Sequence, residues 1–265
     1  MSYAIFAMYF DRPICEDEPL ASRVAALLLD SRWVFVPREL EFTRRPLRPE
    51  YPPREIALPE HQEEAAVIVR HGLLHDGVNT MHAAHFSGPH CLAEWTISVG
   101  HLPIAPYALP FDFQGFVRFG PAAVEAQVEA WVGLICELRD ELGAPHGIID
   151  FWDTYNRAAS DFSLVNVNDS LPPPFFEQLR AASRARQRLG GQIARHPRWG
   201  TWLSRGHVEA IGGVARIRRD VAPAALVEQP NGVFVRLVPL LLKAREAECE
   251  GKRVALERLM APLFA

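Results

Sequence analysis

The chain has 265 residues, of which 49% are hydrophobic and 23% charged, and its formal net charge is −4. This composition is typical of a globular protein. The net negative charge differs from the strongly positive charge of many nucleic-acid-binding proteins. No apolar run approaches the roughly 20 residues of a transmembrane helix, and residues 3–10 lack the basic flank of a signal peptide. The four cysteines are far apart and form no paired motif, which is typical of reduced thiols. We therefore expect a cytoplasmic protein that has no membrane anchor.

The first 74 residues carry alternating strand and helix patterns. Residues 2–10 and 33–36, the latter extending to residue 42, read as strands, and residues 17–29 between them read as a helix. Five prolines lie within residues 46–59 and predict a long irregular connection there. A further helix is expected over residues 60–74.

The middle of the chain shows the strongest periodicity. Strands are expected over residues 92–99 and 111–119. Apolar residues at alternating spacings of three and four then predict a helix over residues 121–142, which Gly143 ends. The apolar run at residues 146–152 predicts a buried strand.

A polar loop follows, and residues 174–189 read as an arginine-rich helix. A short helix near residues 207–212 precedes a hairpin, for which Asn231-Gly232 between two strand-like runs is the strongest local signal. Residues 244–259 read as a closing helix. Because strands come in pairs and helices follow them, we expect one α+β domain over residues 1–265, with an antiparallel or mixed sheet and helices mainly on one face.

Seven of the ten histidines fall between His61 and His101. They are His61, His71, His75, His82, His85, His90 and His101. A zinc or iron site needs three or four converging ligands, which this segment contains, although no HExxH or paired CxxC motif fixes their geometry. One interpretation is therefore a metal-dependent enzyme that uses this segment. The other is that the histidines are solvated or hydrogen-bonded and bind no metal.

The arginines are concentrated in one region. Residues 180–219 hold ten arginines and a single acidic residue, Glu209. An arginine-rich face beside Trp199 and Trp202 could bind nucleic acid. The net negative charge and the near absence of lysine favour pairing with acidic residues of this chain or of a protein partner instead.

Three short segments in the last third carry a resemblance to a known family. They are Pro-Arg-Trp-Gly-Thr-Trp-Leu-Ser at 197–204, His-Val-Glu-Ala-Ile-Gly-Gly at 207–213 and Gly-Val-Phe-Val-Arg-Leu at 232–237. In this order they resemble the immunity proteins of bacterial polymorphic-toxin systems, above all the type VI secretion families. The resemblance implies a non-enzymatic inhibitor that needs no cofactor and binds a co-encoded toxin, such as a nuclease, in the cytoplasm.

If the chain binds such a toxin, we expect the interface in the polar stretch after the buried strand. Aromatic and charged anchors dominate the energy of protein interfaces, and acidic residues suit a basic target. The candidate partner-binding residues are Trp152, Asp153, Tyr155, Asn156, Asp161, Asn168 and Asp169.

Overall fold

A computed structural model of the chain describes residues 2–10, 14–33, 35–43, 54–59, 61–74, 80–87, 90–98, 112–119, 125–152 and 197–263. These residues include ten strands that form one sheet. The strands are β1 (Ser2–Tyr9), β2 (Glu39–Thr43), β3 (Arg54–Ala57), β4 (Thr80–Ser87), β5 (His90–Ser98), β6 (Asp112–Phe119), β7 (His146–Trp152), β8 (Gly200–Ser204), β9 (Ala225–Gln229) and β10 (Gly232–Arg236). Their order is β3-β2-β4-β5-β6-β1-β7-β8-β10-β9, and neighbouring strands run antiparallel.

Six α-helices lie within the described residues. They are α1 (Glu18–Leu28), α2 (Gln62–Leu74), α3 (Glu125–Leu142), α4 (Arg205–Ala210), α5 (Val214–Val221) and α6 (Ala247–Met260). The α+β class and the antiparallel sheet are confirmed. No helix of the described residues is long and apolar enough to cross a membrane.

Strand β1 lies in the middle of the sheet and is buried on both faces. Successive side chains of a strand point to opposite faces, so Phe6 and Tyr9 lie on different faces. The Phe6 ring packs 6.2 Å from that of Trp131 in α3, which defines a helix face. On what we call the second face, Tyr9 stacks on His146, whose ring lies 5.6 Å from that of His207 in α4. Helical residues therefore contact the second face as well as the helix face.

The strongest periodic pattern of the sequence forms the elements that it predicts. The apolar positions of α3, among them Val128, Trp131 and Ile135, are buried in the core. Gly143 adopts a φ of +67°, the left-handed conformation that favours glycine at the end of a helix. Strand β7 spans the predicted residues and pairs with β1 and β8.

Two predictions near the N-terminal third were wrong. The strand expected from residue 33 to residue 42 begins only at Glu39, and Trp33, Phe35 and Val36 lie outside it. Trp33 instead packs against the rings of Phe6 and Trp95. The proline-rich segment 46–59 was expected to be irregular throughout, but β3 lies within it. Strand β3 itself contains no proline and is at the edge of the sheet, where flanking prolines are tolerated.

Strands β4 and β8 were also missed. Residues 82–85, His-Ala-Ala-His, resemble a loop because alanine and histidine give a weak apolar alternation, yet they form the centre of β4. Residues 200–204, for which no strand was predicted, form a strand between β7 and β10. The predicted arginine-rich helix at 174–189 lies outside the described residues.

Candidate functional site

The predicted partner-binding stretch begins at the end of β7. Trp152 is the last residue of that strand, and its backbone pairs with Tyr3 of β1. Asp153, Tyr155, Asn156, Asp161, Asn168 and Asp169 lie outside the described residues. Their role in binding therefore stays a prediction.

A buried carboxylate fixes the strand end from which this stretch leaves the sheet. Nη2 of Arg245 lies 2.7 Å from Oδ2 of Asp150, and Nη1 of Arg198 lies 3.8 Å from the same oxygen. Nε of Arg245 also donates to the carbonyl oxygen of Phe151 at 2.7 Å. Because Asp150 is almost fully buried and paired with arginine, we interpret it as a structural anchor for the end of β7.

The histidine segment divides among separate elements. His71 is exposed on α2, whereas His82 and His85 lie on β4. Nδ1 of His85 lies 2.8 Å from the carbonyl oxygen of Val36, which is a hydrogen bond across the fold. The described residues hold no group of three or more His, Cys, Asp or Glu side chains placed for a metal ion. The side chains of residues 75, 90 and 101 are outside that description.

The block that carries the family resemblance packs the sheet. Trp202 stacks on its strand partner Phe234 with ring centroids 4.7 Å apart, and both are buried. A Cβ atom at Gly147 would lie 2.8 Å from the Trp202 ring, so glycine leaves the space that the indole needs. These residues stabilise the fold, as their apolar character predicts.

His207, in the same block, caps the short helix α4. The N–H of His207 donates to Oγ of Ser204, and the N–H of Ser204 donates to Nδ1 of His207, both at 3.2 Å. This reciprocal pair satisfies two backbone donors at the start of the helix. Burial lowers the pKa of His207 to about 4, because a charged ring in this site would be desolvated.

Cys136 and Cys249 carry thiols that form no disulfide. Burial raises the pKa of Cys136 to about 12 and that of Cys249 to about 11. A thiol attacks as its thiolate, which is scarce at neutral pH when the pKa is this high. Cys136 and Cys249 are therefore weak nucleophiles at neutral pH.

An open groove lies on the second face of the sheet, over β2, β4 and β5. We call it the acidic groove and define it by its lining residues: Glu39, Leu40, Glu41, Ala57, His82, Ala83, Ala84, Phe86 and Glu94. Its volume is about 600 Å³. Phe86 is 44% exposed, which is unusual for a large aromatic side chain.

Strand register places the acidic side chains of the groove on one face. One row of directly opposed residues crosses five neighbouring strands, from β1 through β6, β5 and β4 to β2. The row consists of Ile5, Phe116, Glu94, Ala84 and Glu39. Directly opposed residues of an antiparallel pair share a face, so this row lies on the second face. Glu41 is opposite His82 in the next row. The intervening positions, including Leu40, Ala83 and Trp95, are buried in the core on the helix face.

Glu94 is a partly buried carboxylate in the groove. Burial raises its pKa above the usual 4.5, and the negative charge of Glu41 raises it further. Both causes disfavour the ionised form of Glu94. The free protein therefore pays a stability cost for holding this carboxylate at neutral pH.

This groove was not predicted, although the sequence of one of its strands carries a signal of a polar face. Residues 39–43, Glu-Leu-Glu-Phe-Thr, alternate strictly between polar and apolar residues, as a strand with one polar face does. These residues were predicted as the end of a strand that begins at residue 33, and no site was predicted on their acidic side. The contribution of Glu94 depends on strand order, which the sequence does not reveal.

Comparisons with known proteins find similarity of fold among solved structures. No protein-family model matches the chain, and no curated protein matches it. Among solved structures, it is similar to the Pseudomonas aeruginosa T6SS protein PA0821, with 13% sequence identity and a TM-score of 0.55. The alignment covers 99% of this chain and 73% of that chain. At this identity the likeness shows a shared fold and nothing finer.

Proposed function

We propose that this protein acts in a type VI secretion context as an immunity protein, which binds a co-encoded toxin and neutralises it. The proposal describes a stoichiometric inhibitor and not an enzyme. It places the protein with its toxin in the cytoplasm of the cell that makes both.

The observation that carries the proposal is the acidic groove. An exposed aromatic ring beside several carboxylates on an otherwise well-packed sheet is the kind of surface that binds a protein. The groove is concave and bounded by strands, so it is formed before a partner arrives.

Two further observations support the same proposal. The segments at 197–204, 207–213 and 232–237 resemble type VI immunity families, and the structure places them together in β8, α4 and β10. The structural relative PA0821 is itself a T6SS protein, and the likeness extends over almost the whole of this chain.

Co-expression tests the proposal. The toxin gene beside the gene for this protein would be induced in a sensitive bacterial strain, with and without this chain. We expect growth to be restored by the chain and the two proteins to co-purify in a fixed ratio. Growth arrest despite equal toxin levels and full expression of the chain would contradict the proposal.

A matched variant separates binding from folding. Tyr155→Ala changes the predicted interface, whereas Trp202→Ala removes a buried ring of the core. We expect the first to lose protection while keeping the parent's melting temperature, and the second to lose stability first. If Tyr155→Ala protects as well as the parent, the interface does not depend on this position.

A further inference from the structure

We propose that the acidic groove binds a basic segment of the partner protein, with an arginine or lysine side chain between Glu41 and Glu94 and an apolar side chain on Phe86. This inference rests on the proposed function, because it names the chemistry of the segment that the groove receives.

The shape of the groove fits a short stretch of polypeptide. A volume of about 600 Å³ accommodates several side chains but not a folded domain. Its floor includes Ala84, whose small side chain lies on the second face and allows a bound chain to approach the sheet closely. Phe86 stands at one end as an exposed apolar anchor.

The charge of the groove selects a cationic occupant. Its described lining includes three glutamates, Glu39, Glu41 and Glu94, whereas its only basic-type side chain is that of His82. A phosphate backbone would be repelled by these carboxylates, so a nucleic acid is a poor occupant. A guanidinium or ammonium group is attracted to the same site and can donate hydrogen bonds to carboxylate oxygens.

The electrostatics of Glu94 give an independent reason to expect a cation. The free protein holds this half-buried carboxylate close to the charge of Glu41, and both desolvation and repulsion oppose its ionisation. A positive side chain between Glu41 and Glu94 would favour the ionised form of Glu94, which the charge of Glu41 alone opposes. Sites that are kept at a cost to stability are characteristic of binding and catalysis.

Peptide titration of the full-length chain tests the inference without a toxin. The probe is a blocked heptapeptide in which arginine and leucine alternate, and its control has citrulline in place of each arginine. Citrulline keeps the size and most of the hydrogen-bonding groups of arginine but is uncharged. We expect the arginine peptide to bind at least about tenfold more tightly at low salt, and the difference to shrink as salt screens the charges.

Variants locate the peptide on the protein. The double variant Glu41→Gln with Glu94→Gln should lose the preference for arginine over citrulline. Glu63→Gln with Glu64→Gln removes the same number of charges from the exposed surface of α2, and it should keep the preference. Phe86→Ala should weaken both peptides by similar factors, because it removes an apolar contact.

The melting temperatures of the variants distinguish the loss of a binding group from the loss of the fold. Since the pKa of Glu94 is raised, its ionisation destabilises the fold above about pH 4.5. Glu94→Gln should therefore raise the melting temperature at pH 7 and have little effect well below pH 4.5. A variant that binds less tightly while melting higher has lost a binding group, not its fold.

The outcomes separate this inference from the proposed function. Equal affinity for the two peptides, or equal losses in the groove and α2 variants, would overturn the inference even if the chain protects cells from a toxin. Arginine-selective binding that is lost only in the groove variant supports it, and a failure of co-expression protection would then count against the immunity role alone.

Discussion

Acidification should destabilise the fold through His207. The Nδ1 atom of this side chain accepts a hydrogen bond from the backbone N–H of Ser204, so the ring must be unprotonated there. Its Nε2 atom is buried with no hydrogen-bond partner in the part of the chain that the structure describes. Protonation would break the cap of α4 and place a charge in an apolar site.

The magnitude follows from the shift in pKa. His207 has a pKa of about 4 in the folded protein, against 6.5 for an ordinary histidine. The difference, 6.5 − 4, is about 2.5 units, and at 1.36 kcal/mol per unit it corresponds to about 3 kcal/mol. Because the folded pKa is the lower one, this stability is fully present above pH 6.5. It is lost as the pH falls from 6.5 to about 4.

Urea unfolding of the parent and of His207→Gln measures this effect. Glutamine at this position preserves the capping box, whose usual partner residue is Glu or Gln, but it does not titrate. Between pH 7.5 and pH 4, we expect the parent to lose about 3 kcal/mol more than the variant. All other titrating groups are common to the two proteins and cancel in the difference. Parallel losses in both would refute the role given to His207.

The remaining predictions address the core, the metal question and the interface. Ile135→Ala should reduce the free energy of unfolding by about 2–5 kcal/mol, since it leaves a cavity in the core, and a loss below about 0.5 kcal/mol in urea unfolding would contradict this. Treatment with a chelator should leave the melting temperature unchanged, and a large drop that His85→Ala abolishes would overturn the expectation. Asp153→Arg should weaken toxin binding by more than about 2 kcal/mol in a calorimetric titration without changing the melting temperature, whereas an unchanged affinity would place the interface elsewhere.

The elements that the sequence predicted correctly have strong local periodicity. Helix α3 was predicted because its apolar residues recur at spacings of three and four, and β7 because its residues form an apolar run. Gly143 separates the two elements. The hairpin of β9 and β10 was predicted from its Asn-Gly turn. In each case the pattern is complete within about 20 residues of sequence.

The elements that were missed depend on tertiary pairing. The centre of β4 consists of alanine and histidine, whose strand preference is weak, so pairing with β2 and β5 decides its conformation. Strand β3 follows two prolines and is stabilised as an edge strand by β2. The acidic groove was missed for the same reason, because Glu41 and Glu94 meet only through the order of the strands.

The most direct measurement of the central claim is a calorimetric titration of the purified chain with the purified toxin encoded beside its gene. The account predicts a saturable complex of fixed stoichiometry in which the toxin's activity is lost in proportion to the fraction bound. It further predicts that affinity falls as salt concentration rises, because acidic residues contribute to the interface. No binding between two folded proteins, with the toxin remaining fully active, would contradict it.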